Sequence, residues 1–136
     1  MIVYPAYIHM GKKAPTINPN IWESGTVNYP YNTSGGASFI ASENRFVLAG
    51  GDSLIFTLPL KKFTKITFSA VSGGGLVRDS IISVIKNGVE SGKQLFKPST
   101  YPGPVVFNIP AEYQADAVQV KILAGSNIYL ISGVMS

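Results

Sequence analysis

The sequence predicts an all-β protein, an antiparallel β-sandwich with a jelly-roll-like path. From residue 37 onward, apolar and polar residues alternate over short runs, which is the period of a strand with one buried face. Glycine, proline and asparagine divide these runs at roughly even intervals, a pattern typical of sandwiches and barrels. No segment has helical periodicity over a useful length. These three observations favour packed sheets over any helical fold.

The alternation predicts nine strands. In chain order they span residues 37–41, 45–48, 53–58, 64–70, 81–86, 93–96, 105–109, 117–123 and 128–134. In the clearest of them, Ile66 and Phe68 share one face while polar residues occupy the other. In the eighth, Val118, Val120 and Ile122 share the inward face in the same way. We therefore expect each strand to bury one face in a common core.

The strongest turn signal is Asn87-Gly88, which lies between two strand-like runs. A type I′ hairpin turn needs positive φ at both central positions, which Asn and Gly tolerate best. The strand at 81–86 is therefore predicted to pair with the run that follows Gly88. Residues 111–115 are predicted to form a turn or a single helical turn.

The chain is predicted to hold one domain, residues 20–136, preceded by an extended arm over residues 1–19. Pro5, Pro15 and Pro19 interrupt every regular element in the arm. Such an arm is ordered only where it packs against something. Two interpretations stay open: a frayed terminus, or an arm that clasps another subunit.

Composition excludes several classes of function. The chain has no cysteine, and so has no disulfide or thiolate metal site. Its net charge is +4, but the basic residues are dispersed apart from Lys61, Lys62 and Lys65, whereas nucleic-acid binders gather charge into a dense patch. No apolar run approaches the ~20 residues that span a bilayer, and the first residues lack the features of a secretory signal. We expect no nucleic-acid or membrane partner, and synthesis in a cytoplasm.

Reactive groups for catalysis are scarce. His9 is the one histidine among the 136 residues, and the spacing of the acidic residues demands no facing carboxylate pair, which glycoside hydrolysis requires. No nucleophile motif or phosphate-binding motif is present. We therefore expect no enzymatic activity, no catalytic residue, no metal and no cofactor. An enzyme that cleaves glycans is kept as a remote alternative.

The stretch NIWESGTVNYPYNTSGG, residues 20–36, places the chain's one tryptophan and two tyrosines in a segment nearly free of charge. Trp22 is expected either to plug the edge of the sandwich, with its indole N–H bonded to a carbonyl, or to stack on a sugar. Tyr29 and Tyr31 flank a proline and are harder to bury together, so they suit subunit contacts or sugar stacking. Tyr101 lies in a second, proline-rich loop.

The run WESGTVN at residues 22–28 resembles an opening motif of β-sandwich domains in the baseplates, tail fibres and other virion proteins of bacteriophages. The run SENR at 42–45, the glycine-containing turn and strand within 51–57, and the later Asn-Gly hairpin extend this resemblance, although Val47 stands where the family often has a second arginine. The second half of the chain resembles galactose-binding-like jelly rolls. Glu23 and Arg45 are expected to pair. The structural residues of the motif are Trp22, Glu23, Gly25, Arg45, Asn87 and Gly88.

The resemblance implies a non-enzymatic structural subunit of a phage virion: a capsid decoration protein, a head fibre, or part of a tail or baseplate. It also implies other virion proteins as partners, a homo-oligomer, and location in the virion after synthesis in the host cytoplasm. The alternative is a carbohydrate-binding module, or a receptor-binding tip that holds a host-surface glycan with loop aromatics. The candidate ligand-binding residues are Trp22, Asn28, Tyr29, Tyr31, Asn32 and Tyr101.

Overall fold

A computed structural model describes residues 17–136 of the chain. Two five-stranded antiparallel sheets face each other, and a short two-stranded hairpin forms a third, separate sheet. The predicted fold class, an antiparallel β-sandwich with a jelly-roll-like path, is confirmed. The predicted arm covers residues 1–19. Residues 1–16 of this arm, which include His9, lie outside the described residues.

Twelve strands and two short 3-10 turns make up the described chain. The turns span Ala41–Glu43 and Ala111–Tyr113. The strands, in chain order, are β1 (Trp22–Glu23), β2 (Thr26–Val27), β3 (Tyr31–Ser34), β4 (Ser38–Ile40), β5 (Arg45–Leu48), β6 (Ser53–Leu58), β7 (Lys65–Ser72), β8 (Ser80–Lys86), β9 (Val89–Phe96), β10 (Gly103–Asn108), β11 (Val118–Leu123) and β12 (Ile128–Met135).

The strand order is that of a chain that repeatedly crosses between two layers. Sheet I has the order β10-β7-β12-β5-β4, and sheet II has the order β3-β6-β11-β8-β9. Strands that follow each other in sequence, such as β5, β6, β7 and β8, alternate between the two sheets. The loops therefore collect at two ends of the sandwich. We call the end with the turns at 59–64, 87–88 and 109–117 the first end, and the end with the turns at 49–52, 73–79 and 124–127 the second end.

The core lies between the sheets, because the alternation seen in the sequence directs every second side chain inward. Ile66 and Phe68 on β7 are 0% and 1% exposed, as the sequence predicts for their shared face. Val118, Val120 and Ile122 on β11 are buried in the same way. Removal of this apolar surface from water is the main force that holds the two sheets together.

Trp22 stands at the centre of the aromatic part of this core. Its ring lies edge-on to Phe46 of sheet I, with centroids 4.9 Å apart, and stacks near Phe56 of sheet II at 5.9 Å and Phe68 of sheet I at 6.3 Å. Such edge-on and offset arrangements are the favoured geometries of aromatic pairs. The tryptophan therefore joins the two sheets, although β1 belongs to neither of them.

Asn44 fixes the hairpin that carries this tryptophan. Its backbone carbonyl accepts the indole N–H of Trp22 at 3.1 Å, and its side-chain oxygen accepts the backbone N–H of Gly25 at 2.8 Å. Gly25 has a φ of +77°, and a Cβ there would lie 2.9 Å from the carbonyl oxygen of Ala41. Only glycine therefore suits this turn, and the WESG run keeps the hairpin in contact with the core.

The type I′ turn predicted at Asn87-Gly88 is present and joins β8 to β9. Asn87 has a φ of +53° and Gly88 a φ of +77°, and Lys86 pairs with Val89 across the turn. The sequence did not predict β1, β2 and β3. They form in the segment interpreted as a loop, because their short backbones pair with each other and with β6.

Gly133→Ala is expected to destabilise the protein by about 1–3 kcal/mol, the usual cost of overpacking a core. A Cβ at Gly133 would lie 2.8 Å from Cζ3 of Trp22 and 3.0 Å from Cε1 of Phe68, and both rings are enclosed. Urea denaturation measures the effect. The matched control is Gly36→Ala, whose Cβ would meet only Asp52 Oδ2 at 3.7 Å. Equal stability of the two variants would contradict the tight packing of the tryptophan.

Candidate ligand-binding cleft

The ring of Trp22 is not available to a ligand. The residue is 2% exposed and is surrounded by the phenylalanines of both sheets. Of the two roles open to it from sequence, stacking on a sugar is wrong, because no face of the ring reaches solvent. Its indole N–H is satisfied by a carbonyl, which is the arrangement expected of an edge plug.

Asn28 and Tyr29 belong to a polar cluster beside β1. The Glu23 carboxylate accepts hydrogen bonds from the side-chain amides of Asn18, Asn20 and Asn28. The Tyr29 hydroxyl donates to the backbone carbonyl of Asn18, and burial raises the pKa of this tyrosine. These contacts tie the segment before β1 to the segment after β2, so the cluster has a structural role in the described chain.

The remaining candidates do not converge with this cluster. Tyr31 packs edge-on against Phe46 at 5.3 Å and keeps 40% of its surface exposed. Asn32, the next residue on the same strand, points to the opposite face of the sheet. Tyr101, 80% exposed, lies at the second end, in the loop whose Ser99 carbonyl accepts the backbone N–H of Ser72. The structure therefore does not unite the six predicted residues in one site.

The predicted ion pair between Glu23 and Arg45 is wrong. Arg45 pairs with Glu43 at 2.7 Å, and its guanidinium lies 4.1 Å from the ring centroid of Tyr129. The Glu43 carboxylate and the Tyr129 ring hold the arginine side chain on the outer surface of sheet I. The three asparagine amides take up the Glu23 carboxylate instead.

A cleft of about 330 Å³ opens at the first end, where sheet II meets the segment 110–118. Its apolar lining includes Ile85 and Val118. Its polar and aromatic lining consists of Lys86, Asn87, Glu112, Tyr113 and Gln119. An apolar surface with a few convergent polar groups is the usual form of a small-ligand site.

Three elements build the cleft. The β8–β9 hairpin supplies Lys86 and Asn87, and β11 supplies Gln119, which pairs with Ile85 of β8 and so lies on the same outer face of sheet II. The 3-10 turn at Ala111–Tyr113 supplies the aromatic ring. The backbone N–H groups of residues 113–115 all bond to carbonyls within 110–113, so this segment holds its own shape.

The ring of Tyr113 is oriented from both sides. Its hydroxyl bonds with the Ser91 hydroxyl of β9. The Lys86 ammonium lies over the ring, 5.8 Å from its centroid, a distance at which cations are attracted to aromatic faces. The ring is thus fixed in the cleft, with a positive charge above it.

Glu90, the residue opposite Ile85 on the outer face of sheet II, is already compensated. Its carboxylate pairs with the Lys121 ammonium at 2.8 Å and accepts the Ser83 hydroxyl at 3.1 Å. The Lys121 ammonium holds the pKa of Glu90 below its ordinary value. Glu90 and Lys121 therefore neutralise each other, and a ligand in the cleft meets mainly the charged side chains of the cleft lining.

The sequence did not predict the cleft. Asn87 was assigned only a turn role, and residues 111–115 only a turn. The cleft depends on the register between β8 and β11, which are 38 residues apart at their starts and have no local signal for their pairing. A tyrosine inside a polar turn, EYQ at 112–114, is the one feature that would have drawn attention to the segment.

Two further features of residues 17–136 bear on the classes of function considered. Within this range, no three His, Cys, Asp or Glu side chains come together in a group that would hold a metal ion. The same part of the chain has no helix of the length and apolar character needed to cross a membrane.

Solved structures with the same fold include carbohydrate-binding modules, while no family model and no curated protein sequence matches the chain. CsCBM6-3 from Clostridium stercorarium, in complex with cellobiose, matches with a TM-score of 0.59 at 12% identity, over 88% of this chain and 93% of its own. The family 11 carbohydrate-binding module from Clostridium thermocellum, in complex with a β-1,3-1,4-mixed-linked tetrasaccharide, matches with a TM-score of 0.51 at 11% identity, over 89% and 98%.

An enzyme chain also contains this fold as one part. The exo-β-1,3-galactanase from Phanerochaete chrysosporium, with β-1,3-galactotriose, matches with a TM-score of 0.54 at 11% identity. The match covers 78% of this chain but 27% of the galactanase. The shared fold is therefore a fraction of that enzyme.

These matches contradict the prediction of a bacteriophage virion subunit. The jelly-roll expectation behind it holds, but the structures that share the fold are carbohydrate-binding modules and a part of a galactanase. The physical reason is visible in the motif itself. Trp22 and Gly25 hold the hairpin to the core, so their spacing reports how the sandwich closes and says nothing about assembly.

The stability of the protein is expected to fall on the acid side partly through Glu23. The amides of Asn18 and then Asn28 lower the pKa of this carboxyl below its ordinary value. A carboxyl group whose pKa is lower in the folded state stabilises the protein at pH values above its pKa in the unfolded state, about 4.3. This contribution is lost as the pH falls through the pKa of the folded state.

Urea midpoints of the wild type and of Glu23→Gln, measured from about pH 6 to about pH 3, check this linkage. The difference between the two proteins should narrow as the pH falls. Asn18→Ala, which removes the first donor, should weaken the same dependence. A difference that stays constant over this range would show that the carboxylate gains nothing from its amide partners.

Proposed function

We propose that this protein is a non-enzymatic carbohydrate-binding module whose ligand enters the cleft at the first end. The observation that carries the proposal is the cleft itself. Its volume of about 330 Å³ is near the lower limit of known ligand pockets, and it combines one aromatic ring with amide and charged side chains. A short stretch of a glycan has the size and the chemistry for such a site.

The side chains supply the two kinds of contact that a sugar needs. The ring of Tyr113 offers an apolar face to the C–H groups of a sugar ring. The amides of Asn87 and Gln119 each carry donors and an acceptor, so they satisfy hydroxyl groups in either role. Because the tyrosine hydroxyl bonds with Ser91, the ring is held before a ligand arrives, which lowers the entropy lost on binding.

The fold supports this proposal. CsCBM6-3 is in complex with cellobiose, and the family 11 module is in complex with a mixed-linked tetrasaccharide. The lining supports binding without cleavage. Glycoside hydrolysis requires two facing carboxyl groups, and of the described residues that line the cleft, Glu112 alone is acidic.

Tyr113→Ala is expected to weaken glycan binding at least about tenfold, because it removes the one aromatic face in the cleft. A tenfold change in affinity corresponds to about 1.4 kcal/mol. A glycan array identifies the ligand, and titration calorimetry measures its affinity. Gln119→Ala, at an exposed position, should weaken binding without a change in thermal unfolding, and keeps the test valid if the tyrosine variant is unstable.

Tyr101→Ala is the matched control, because that tyrosine is 80% exposed at the second end. Its affinity should equal that of the wild type. A loss with Tyr101→Ala or Tyr31→Ala, and none with Tyr113→Ala, would move the site to those aromatics. The absence of binding across neutral and acidic glycans would overturn the function itself.

A further inference from the structure

Lys86 is a cleft residue without a carboxylate partner among residues 17–136. The ion pairs in this part of the chain are Glu43 with Arg45 and Glu90 with Lys121. The Lys86 ammonium lies instead over the ring of Tyr113, 5.8 Å from its centroid. The cleft therefore holds, over its one aromatic ring, an ammonium group that forms no ion pair with a described carboxylate.

This arrangement discriminates between neutral and acidic sugars. A neutral sugar that stacks on the tyrosine must compete with the ammonium for the same face, and an exposed cation–π contact contributes about 0.5–1 kcal/mol. A sugar that bears a carboxylate or a sulfate gains a charge-assisted hydrogen bond from the displaced ammonium. The loss of the contact between the ammonium and the ring is thus offset only when the ligand is anionic.

The surroundings of the cleft add more positive than negative charge: the segment 109–117 carries the exposed Asp116, and the turn beside it is rich in lysine. Leu58 pairs with Val118, and the backbone N–H of Ile109 bonds to the carbonyl of Thr64, so the turn 59–64 adjoins the segment 109–117 at the first end. This turn and the start of β7 carry three exposed lysines, Lys61, Lys62 and Lys65. The net charge of the whole chain is +4. A field of this sign raises the association rate of anionic ligands.

Glu112 is the one opposing charge in the lining. It lies in the same 3-10 turn as Tyr113 and would repel a carboxylate or sulfate on the sugar. With a neutral sugar, the same side chain would accept a hydroxyl hydrogen bond. Lys86 therefore favours an acidic sugar, whereas Glu112 favours a neutral one.

We propose that the ligand of this cleft is an acidic glycan, one with uronate or sulfate groups, and that Lys86 determines this specificity. The inference rests on the proposed function, since it names the ligand class of the same cleft. It adds that neutral sugars of the same size bind more weakly, because they leave the ammonium without a partner.

The experiment compares three trisaccharides by titration calorimetry: trigalacturonate, a sulfated galactotriose and neutral galactotriose. The acidic ligands should bind more tightly than the neutral one, and their advantage should shrink between about 0.05 M and 0.5 M salt, where charge interactions become screened. Comparison of the two acidic ligands shows whether the ammonium prefers carboxylate or sulfate.

Lys86→Gln should weaken acidic binding about threefold to fivefold, the range of an exposed ion pair, and should leave neutral binding unchanged or stronger. Glu112→Gln should strengthen acidic binding. The matched control is Lys97→Gln, which removes one exposed positive charge after β9, at the second end, and should have little effect.

Three results would overturn the inference. Tight neutral binding that is insensitive to salt, with weakening by Glu112→Gln, would leave the carbohydrate function standing and identify a neutral ligand. Equal losses of affinity for the acidic ligands with Lys86→Gln and Lys97→Gln would show that the effect comes from the overall charge of the protein and not from Lys86. No binding to any of the three sugars, or to a wider glycan array, would remove the proposed function together with the inference.

Discussion

The fold depends on the burial of one tryptophan that belongs to neither main sheet. Trp22 contacts rings from β5, β6 and β7, so a residue on a two-stranded hairpin joins the two layers. Asn44 holds it there with two hydrogen bonds, and the missing side chain of Gly133 leaves the space that the ring fills. The aromatic core and the two-stranded hairpin are consequently a single packing unit.

Alternation in the sequence was sufficient to predict the sandwich. The strands at 45–48 and 53–58 have the predicted bounds, because each is a short amphipathic run between strong turn residues. The strands before β4 were missed, because their residues are those of a polar loop: β1 and β2 pair with each other over two residues each, and β3 pairs with the distant β6. Local pattern therefore determined which runs form strands, whereas long-range pairing determined the edge.

The candidate site was beyond sequence reasoning for a related reason. Exposed aromatics attract attention in a sequence, yet Trp22 is enclosed and Tyr101 lies at the end opposite to the cleft. The cleft assembles from a hairpin tip, a mid-strand glutamine and a 3-10 turn, which meet only through the register of β8 and β11. The resemblance to virion proteins failed similarly, since Trp22 and Gly25 of its motif hold the hairpin to the core, and Asn87 alone among the motif residues lines the cleft.

The self-contained segment 110–115 has a consequence for how the sequence of this fold can vary. Its inner backbone bonds close on themselves, so substitutions or insertions there leave the ladders of both sheets intact. At the opposite end, a Cβ at Gly125 would lie 1.8 Å from the carbonyl oxygen of Asp79, which leaves no room for a side chain at that position. The turn at 110–115 can thus be exchanged for another while the sheet ladders and Gly125 preserve the scaffold.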